Sequence, residues 1–383
     1  MHHVQKIVKN GHIMAYDRTK PFNDLPLLPP KSEIENDVEI LKKLVTASRA
    51  LAAVNSSIMR LPNPLMLVNT IALQEAKAST AIENIFTTED ALYKAVSDTV
   101  QEDKANVATK EVLRYREALW TGYQLIKENN NIDLESILGI FRQIKNTSSG
   151  LRSPASLTII QRGQSEFRSG EVIYTPPRGA GILEKLMDNL LIYLNDNEKY
   201  PTDPLLKMCF AHYQFEAIHP FPDGNGRTGR ILNLLYLVHA GLLNQPVLYL
   251  SKYIIVNKDD YYYNLGIVTQ RGSWKPWILY MLEAVEKTAQ LTSQLINSIL
   301  AQMDSTLAHA KDLIKWYNKE VNELIFSQPY IKPKFIGDQL NITSRTTLTK
   351  YFNELVDAKI LSPIKDGKEL FYVNNDLIQI LEG

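Results

Sequence analysis

The feature that most constrains the fold of this chain is a segment rich in Gly and Pro, residues 219–230, between two stretches of helical apolar pattern. It reads His-Pro-Phe-Pro-Asp-Gly-Asn-Gly-Arg-Thr-Gly-Arg. Pro220 and Pro222 end the preceding helix because proline lacks a backbone donor. The Gly-Asn-Gly triplet that follows allows backbone conformations that side chains forbid. The sequence therefore predicts a helix, a tight loop and a second helix.

Most of the remaining chain has helical periodicity. From about Ser32 to Gln124 apolar residues recur at helical spacing and Gly is almost absent. Two short runs of β-prone residues, Ser156–Ile160 and Glu171–Thr175, interrupt the helices and predict a β-hairpin. The first residues, which include His2, His3 and His12, are expected to be irregular. The fold class predicted from these patterns is mostly α.

The last part of the chain has the element order of a winged-helix domain. Phe335–Leu340 and Ser344–Ala358 predict two helices, and Leu361–Val373, with Asp-Gly at its tip, predicts a hairpin. The predicted domains are an N-terminal helical region, a central core, and a connector helix with a small winged-helix-like domain: residues 1–115, 116–290 and 291–383.

Composition bounds the classes of partner and compartment. Lys and Arg together number 42, as do Asp and Glu, so the net charge gives no support for a nucleic-acid or membrane partner. Cys209 is the single cysteine, which excludes an intrachain disulfide and favours a reducing compartment. No stretch reaches the apolar length of a membrane span or of a signal peptide. We therefore expect a cytoplasmic protein.

Residues 219–230 combine the groups that phosphate chemistry needs. Successive amides of a Gly-rich turn that opens onto a helix form a nest for phosphate. Asp223 is a hard oxygen ligand suited to Mg²⁺ that bridges phosphates. Arg227 and Arg230 lie three residues apart, on one helical face, and can reach the same polyphosphate. His219 titrates near neutrality and can accept a proton from a hydroxyl.

Other interpretations of the glycines explain less. Gly224, Gly226 and Gly229 satisfy the spacing of the dinucleotide fingerprint, but a helix precedes them and no acidic residue lies about twenty positions later. No Gly-Lys-Ser/Thr follows the loop, which excludes a Walker A motif. A plain Gly-rich turn between helices explains the glycines, but not the grouping of His, Asp and two Arg.

The segment resembles the signature of the Fic family, His-Pro-Phe-x-Asp/Glu-Gly-Asn-Gly/Lys-Arg, at every specified position. The resemblance covers roughly Ser32 to Leu282 and includes these flanking runs: Phe215–Ile218, Gly229-Arg230, Pro246–Ser251 and Tyr261-Tyr262-x-x-Leu265. It implies a helical protein adenylyltransferase with a β-hairpin flap that aligns the target protein by strand addition, here at about 157–175.

The resemblance also implies the role of each residue. His219 would deprotonate a Ser, Thr or Tyr hydroxyl of the target, whose oxygen attacks the α-phosphorus of ATP as pyrophosphate leaves. Asp223 would hold Mg²⁺, and Arg230 would pair with the γ-phosphate. Tyr262 is similar to an aromatic residue near the adenine, although it is equally explained by packing on a helix. The implied nucleotide contacts are Glu83, His219, Gly224, Asn225, Gly226, Arg227, Thr228, Gly229, Arg230 and Tyr262.

A second pattern indicates a built-in inhibitor. Residues 79–84 match the inhibitory motif of the family, Ser/Thr-x-x-x-Glu-Gly/Asn, with Ser79, Glu83 and Asn84 at the specified positions. The resemblance implies that Glu83 pairs with Arg230, removes the partner of the γ-phosphate and misaligns ATP. A solvated carboxylate on a helix surface is the alternative.

Several functions stay open. In relatives the scaffold also transfers UMP, phosphocholine or phosphate, although the phosphate branch has Ala and Lys in place of Gly224 and Gly226. Removal of AMP from a modified protein is a further alternative. A DNA-binding regulator with an accessory Fic domain is another, through Ser344–Lys350, although the C-terminal part has balanced charge. The target, self-modification and a homodimer are not decided by the sequence. His212 and Cys209 are predicted to be packing residues.

Overall fold

The computed structural model describes the chain except residues 1–4, 10–11, 31–33, 62–63, 98–102, 163–169 and 383. Helices predominate, which confirms the mostly α prediction. The described helices are α1 (Val38–Met59), α2 (Pro64–Ile82), α3 (Glu89–Ser97), α4 (Val107–Asn129), α5 (Leu134–Lys145), α6 (Ile182–Asn195), α7 (Pro204–Ile218), α8 (Asn225–His239), α9 (Leu250–Val256), α10 (Lys258–Arg271), α11 (Trp274–Leu313), α12 (Lys319–Ile325), α13 (Pro333–Gln339), α14 (Arg345–Asp357) and α15 (Asn375–Glu382). Within the described residues, no helix combines the length and apolar character of a membrane span.

The strands are short and form three small sheets in the described part of the chain. They are β1 (Gln5–Lys9), β2 (His12–Tyr16), β3 (Ile160–Arg162), β4 (Glu171–Tyr174), β5 (Tyr330–Ile331), β6 (Ser362–Asp366) and β7 (Glu369–Val373). β1 pairs with β2, and β3 pairs with β4. The third sheet has the order β5-β7-β6.

The chain divides into two compact units. The first comprises residues 1–52, 114–246 and 250–288, and the second comprises 53–113, 247–249 and 289–383. These units group separate pieces of chain, whereas the predicted domains divide the sequence at two points. The predicted domain boundaries stay a prediction.

The first unit is built around α7, which packs against α6 and α8. Every α7 residue from 205 to 215 is buried, as expected for a helix that is apolar around most of its circumference. Asp203 caps its start by accepting from the Leu205 amide at 2.8 Å, and Pro204 occupies the first turn. The start of the helix that leads into residue 219 is thus defined.

The predicted hairpin before α6 is confirmed, with Ile160 paired to Tyr174 and Gln161 to Val172. The predicted extent of its first strand is wrong. Only Ile160 of the run Ser156–Ile160 belongs to β3, and Leu157 is 77% exposed. β-prone residues without a neighbouring strand gain no ladder, so propensity alone misplaces the strand by several residues.

A second hairpin lies at the start of the chain, where β1 pairs with β2 in antiparallel register. The expectation of an irregular start is therefore wrong for His12, while His2 and His3 lie outside the described residues. The sequence carries a signal for it, because Asn-Gly between two β-prone runs is the typical dipeptide of a tight hairpin turn.

The C-terminal domain, α12 to α15 with β5 to β7, belongs to the second unit. Its two predicted helices and its hairpin are confirmed as α13, α14 and β6–β7. Strand β5 was not predicted, because two residues give no periodic pattern. Ser344 caps α14 by accepting from the Thr347 amide, and Gly367 has a φ of 57° at the hairpin tip. The winged-helix assignment stays a prediction.

Helix α2, which carries residues 79–82 of the second motif, is tied to the C-terminal domain within the second unit. The Thr70 hydroxyl donates to the carbonyl of Ser327 at 3.0 Å. The neighbouring α3 contacts the same domain, because the Tyr330 hydroxyl of β5 donates to Asp90 at 2.8 Å.

A substitution at Gly122, in α4, tests how tightly α4 packs within the first unit. A Cβ there would lie 2.5 Å from Leu235 and 2.8 Å from Ile140, whereas at Gly266 in α10 the nearest atom, on Gln270, is 3.7 Å away. Alanine adds helix propensity equally at both sites, so their difference isolates overpacking. We expect Gly122→Ala to be about 1–3 kcal/mol less stable than Gly266→Ala in urea unfolding. Equal stabilities would contradict this packing.

Candidate active site

Helix α7 ends in a left-handed residue at His219. Its φ and ψ are 51° and 59°, and its amide donates to the Phe215 carbonyl at 3.0 Å. The left-handed conformation costs a residue with a side chain about 1–2 kcal/mol. Pro220 then prevents the helix from continuing, because a proline disfavours helical geometry in the residue before it. The predicted break is confirmed.

The loop after His219 is fixed by one aromatic contact and one side chain. Phe221 is fully buried and stacks on Phe141, with ring centroids 4.0 Å apart. The Asn225 side chain accepts from the Phe221 amide and donates to the Phe221 carbonyl, both at 2.8 Å. The Asn225 side chain therefore holds the loop closed, and the predicted phosphate contact of this residue rests on its backbone amide.

The loop opens onto the start of α8. Gly224 precedes the helix with a φ of 82°, a conformation that favours glycine. The Thr228 hydroxyl, which is fully buried, donates to the Gly224 carbonyl at 2.9 Å. The first amides of any helix have no acceptor within it, so the start of α8 offers donors to an anion.

Gly229 allows α7 and α8 to approach closely. A Cβ at this position would lie 2.6 Å from Glu216 Oε1 and 2.9 Å from Phe215 Cδ1. Packing thus explains Gly229, and the loop carbonyl explains the Thr228 hydroxyl. The predicted nucleotide contacts of both residues stay predictions.

Two arginines of α8 are buried. Arg227 is 2% exposed and Arg230 is 1% exposed. They lie on one face of the helix, as their spacing predicts. A buried guanidinium is stable only with compensating partners.

Asp223 lies at the exposed rim of the loop, with 67% of its side chain accessible. Its carboxylate accepts from the Gly224 amide at 2.6 Å and from Lys145 Nζ at 2.5 Å. Burial by itself raises the pKa of Asp223, but the hydrogen bonds and the charges of Lys145 and Arg227 hold it below its ordinary value. An ionised, accessible carboxylate beside the amides at the start of α8 fits Mg²⁺.

Two residues that contact the loop or the end of α7 were missed by sequence reasoning. Lys145, the last residue of α5, reaches Asp223 across 78 positions of sequence. Arg152 is 3% exposed, and its guanidinium donates to the carbonyls of His219, Ile218 and Pro177. No local pattern marks either residue, because both act through contacts that only the fold creates.

The hairpin β3–β4, which we call the flap, is attached to the end of α7. The Tyr174 hydroxyl, at the end of β4, donates to the Ala217 carbonyl at 2.7 Å. Burial raises the pKa of Tyr174 well above its ordinary value, so the hydroxyl stays a donor at any physiological pH. The flap is therefore hydrogen-bonded to the same helix end that carries residue 219.

Tyr262 is half-buried on α10. Its ring meets the edge of the Tyr261 ring at a centroid distance of 5.2 Å. This contact matches the packing alternative, and a role for Tyr262 at the adenine stays a prediction.

His212 and Cys209 are buried packing residues of α7, as predicted. His212 Nε2 lies 2.9 Å from the Tyr261 hydroxyl, and its ring stacks on Trp277. Burial, together with the charge of Arg230, lowers the pKa of His212 to about 3. Burial also raises the pKa of the Cys209 thiol, which leaves it unreactive.

The second motif lies at the end of α2. Ser79 is fully buried, α2 ends at Ile82, and the half-buried Glu83 follows in a turn closed by Asn84, whose φ is 61°. Glu83 belongs to the second compact unit and Arg230 to the first. The pairing of these two side chains stays a prediction.

The C-terminal domain presents an open groove of about 560 Å³ along α14. It is lined by Arg345, Thr346, Thr349, Lys350, Asn353 and Glu354. Lys350 lies 3.8 Å from Glu354, so part of its charge is balanced within the helix. DNA binding by this surface stays a prediction.

Comparison with known proteins gives three matching family models. Residues 41–124 match "Fic/DOC family N-terminal", residues 123–237 match "Fic/DOC family", and residues 302–377 match "Protein adenylyltransferase SoFic-like, C-terminal domain". Together they span more than half of the chain.

Curated relatives match over part of their length. The chain is 31% identical over 205 residues to "Protein adenylyltransferase Fic" of Aedes aegypti, which is 51% of this chain and 37% of the relative. It is 31% identical over 180 residues to the protein of the same name in Drosophila melanogaster, covering 42% and 35%. The chain thus spans little more than a third of these relatives.

A solved structure shares the fold. A Fic family protein from Desulfovibrio desulfuricans G20 is 20% identical, with a TM-score of 0.54, and the similarity covers 90% of this chain and 98% of that one. This likeness supports the fold class.

His212 gives the site a predicted acid sensitivity. Because its pKa is lowered from 6.5 to about 3 on folding, the unfolded chain binds a proton that the folded chain does not between those pH values. Stability must therefore fall as the pH drops through this window. We expect His212→Gln to remove about 1.5 kcal/mol of the stability loss between pH 6.5 and 5.0 in urea unfolding. An unchanged pH dependence would contradict the buried neutral imidazole.

Proposed function

Since the chain belongs to the Fic/DOC family, we propose that it is a protein adenylyltransferase, which moves AMP from ATP to a Ser, Thr or Tyr hydroxyl of a target protein. The observation that carries the proposal is the grouping of His219 and Asp223 with the start of α8 in one closed loop. Arg227 and Arg230 lie in the first turns of the same helix. The names of the curated relatives support the same activity.

In the proposed reaction His219 is the general base. It accepts the proton of the target hydroxyl, whose oxygen forms a bond to the α-phosphorus of ATP. The bond from that phosphorus to the oxygen bridging the α- and β-phosphates breaks, and pyrophosphate leaves with the electron pair. The amides at the start of α8 and the guanidinium groups of Arg227 and Arg230 stabilise the charge on the phosphates.

Asp223 is the residue that would hold Mg²⁺. Its accessible, ionised carboxylate and its place beside the α8 amides suit a cation that is also bound by phosphate oxygens. When bound, Mg²⁺ neutralises charge on the phosphates. In the structure Lys145 provides the positive charge at this carboxylate, so the cation and Lys145 would share or exchange the position.

The flap is the proposed docking site of the target protein. In the described part of the chain β3 pairs with β4 alone, so the other edge of β3 is the proposed place for an added strand. Next to β4, the Phe22 amide already donates to the Thr175 carbonyl. Leu157 and Ile159, which lead into β3, are 77% and 46% exposed. These apolar side chains suit a target segment that lies along residues 157–175.

Glu83 is the proposed inhibitor of the forward reaction. A half-buried carboxylate after the end of α2 can form a bidentate pair with a guanidinium, and such pairs are among the strongest side-chain contacts. Pairing with Arg230 would withhold that side chain from the γ-phosphate and shift the α-phosphorus away from the line of attack. The γ-phosphate would then lack its partner until Glu83 is released.

Glu83→Gly is expected to increase AMP incorporation about ten- to a hundredfold. The reason is that a charge-assisted pair contributes about 1.5–3 kcal/mol, which the nucleotide no longer has to displace. Transfer is measured with α-³²P-labelled ATP, and intact mass spectrometry identifies the group added, which separates AMP from other donors. Glu128→Gly removes the carboxylate of another Glu-Asn pair and should leave transfer unchanged. Equal rates for both variants would rule out Glu83 as the inhibitor.

His219→Ala is expected to abolish the transfer that Glu83→Gly reveals. General-base catalysis contributes about 10²–10⁴-fold, so the double variant should lose at least about a hundredfold in rate. The double variant should still bind ATP with Mg²⁺, because the amides at the start of α8 and the two arginines remain. This binding is measured by isothermal titration calorimetry. Undiminished transfer by the double variant would exclude His219 as the base.

A further inference from the structure

We propose that Arg152 is a positioning residue that holds His219 in its left-handed conformation and couples it to the flap. Because Arg152 binds both, the position of the His219 imidazole is coupled to the position of the flap. The inference rests on the role of His219 in the proposed function. It concerns a residue outside the loop and outside both motifs.

The guanidinium of Arg152 serves the carbonyls at the end of α7. Nε donates to the His219 carbonyl at 2.8 Å, and Nη2 donates to the Ile218 carbonyl at 3.1 Å. The last carbonyls of a helix have no partner within it, and they form the negative end of its dipole. The buried guanidinium of Arg152 donates to these carbonyls and places a positive charge at the negative end of the dipole. It therefore stabilises the end of α7.

The backbone of Arg152 holds the other side of the same turn. Its amide donates to the Pro220 carbonyl at 2.9 Å. The carbonyls of residues 219 and 220 are therefore both fixed by Arg152. Since the direction of the Cα–Cβ bond follows from φ and ψ, a fixed left-handed backbone at His219 fixes the origin of the imidazole.

The same side chain reaches the flap. Nη2 also donates to the carbonyl of Pro177, which follows β4, at 2.5 Å. Tyr174, at the end of β4, donates to the Ala217 carbonyl at 2.7 Å. Three successive carbonyls, from Ala217 to His219, thus depend on Tyr174 and Arg152. A target strand that moves the flap therefore also moves the backbone that carries His219.

The acceptors of Arg152 explain why arginine is required. Its guanidinium donates from two nitrogens, Nε and Nη2, to three carbonyls, an arrangement that the single ammonium of lysine does not reproduce. Burial lowers the pKa of Arg152, but an arginine keeps its proton under these conditions. The interaction is therefore a geometric constraint.

The test uses Arg152→Gln in the full-length Glu83→Gly chain, with Arg178→Gln as the matched control. Arg178 lies next to Pro177, is half-exposed and takes no part in the proposed site. We expect Arg152→Gln to lower kcat for AMP transfer about a hundredfold, since small misplacement of a catalytic group has effects of this size. The Kd for ATP with Mg²⁺ should change less than about twofold. Arg178→Gln should behave as the parent.

A double-mutant cycle separates positioning from general support. Tyr174→Phe removes only the hydroxyl that serves Ala217, and its effect should not multiply with that of Arg152→Gln, because both act on one helix end. Unchanged kcat, or equal losses in kcat and nucleotide affinity, would overturn the proposal. If Arg152→Gln does not unfold cooperatively, Arg152→Lys replaces it, with the same expected loss in kcat.

A crystal structure of Arg152→Gln keeps the inference independent of the activity. If the parent transfers no AMP, the proposed function fails, and the φ of residue 219 then decides the positioning role. We expect residue 219 to leave the left-handed region. A φ that stays near 51° would overturn the proposal.

Discussion

The left-handed turn at His219 is the constraint on which the candidate active site depends. It ends α7 and turns the chain into the loop whose closure by Asn225 sets the start of α8. This conformation costs a residue with a side chain about 1–2 kcal/mol relative to the right-handed one. Pro220 blocks further helix, and Arg152 binds the carbonyls around the turn.

The residues of the loop divide into those that build it and those that are accessible at its rim. Phe221, Thr228 and Gly229 pack or close the turn. Asp223 lies at the accessible rim, and the α8 amides point out of the helix start. The motif therefore contains residues that support the loop rigidly and, separately, the few groups that we propose for phosphate chemistry.

Sequence patterns predict those elements that depend on neighbouring residues in the chain. The helices, the loop after His219 and the C-terminal hairpin follow from periodicity, proline and glycine, and the structure has them. Residues that act across the fold escape this reasoning, because Lys145 and Arg152 become neighbours of the loop only after α5, the flap and α7 pack. The predicted bounds of the first flap strand were wrong for a related reason, because a strand extends only as far as it has a partner strand. The pairing of Glu83 with Arg230 stays a prediction from the motif alone.

The most direct test of the central claim is a crystal structure of the Glu83→Gly chain with Mg²⁺ and a non-hydrolysable ATP analogue. We expect the phosphates to lie on the amides at the start of α8, with Asp223 bound to the cation. The imidazole of His219 should face the α-phosphorus from the side of the flap. A nucleotide bound elsewhere, or an imidazole that faces away from the phosphates, would contradict the assignment of this loop as the catalytic site.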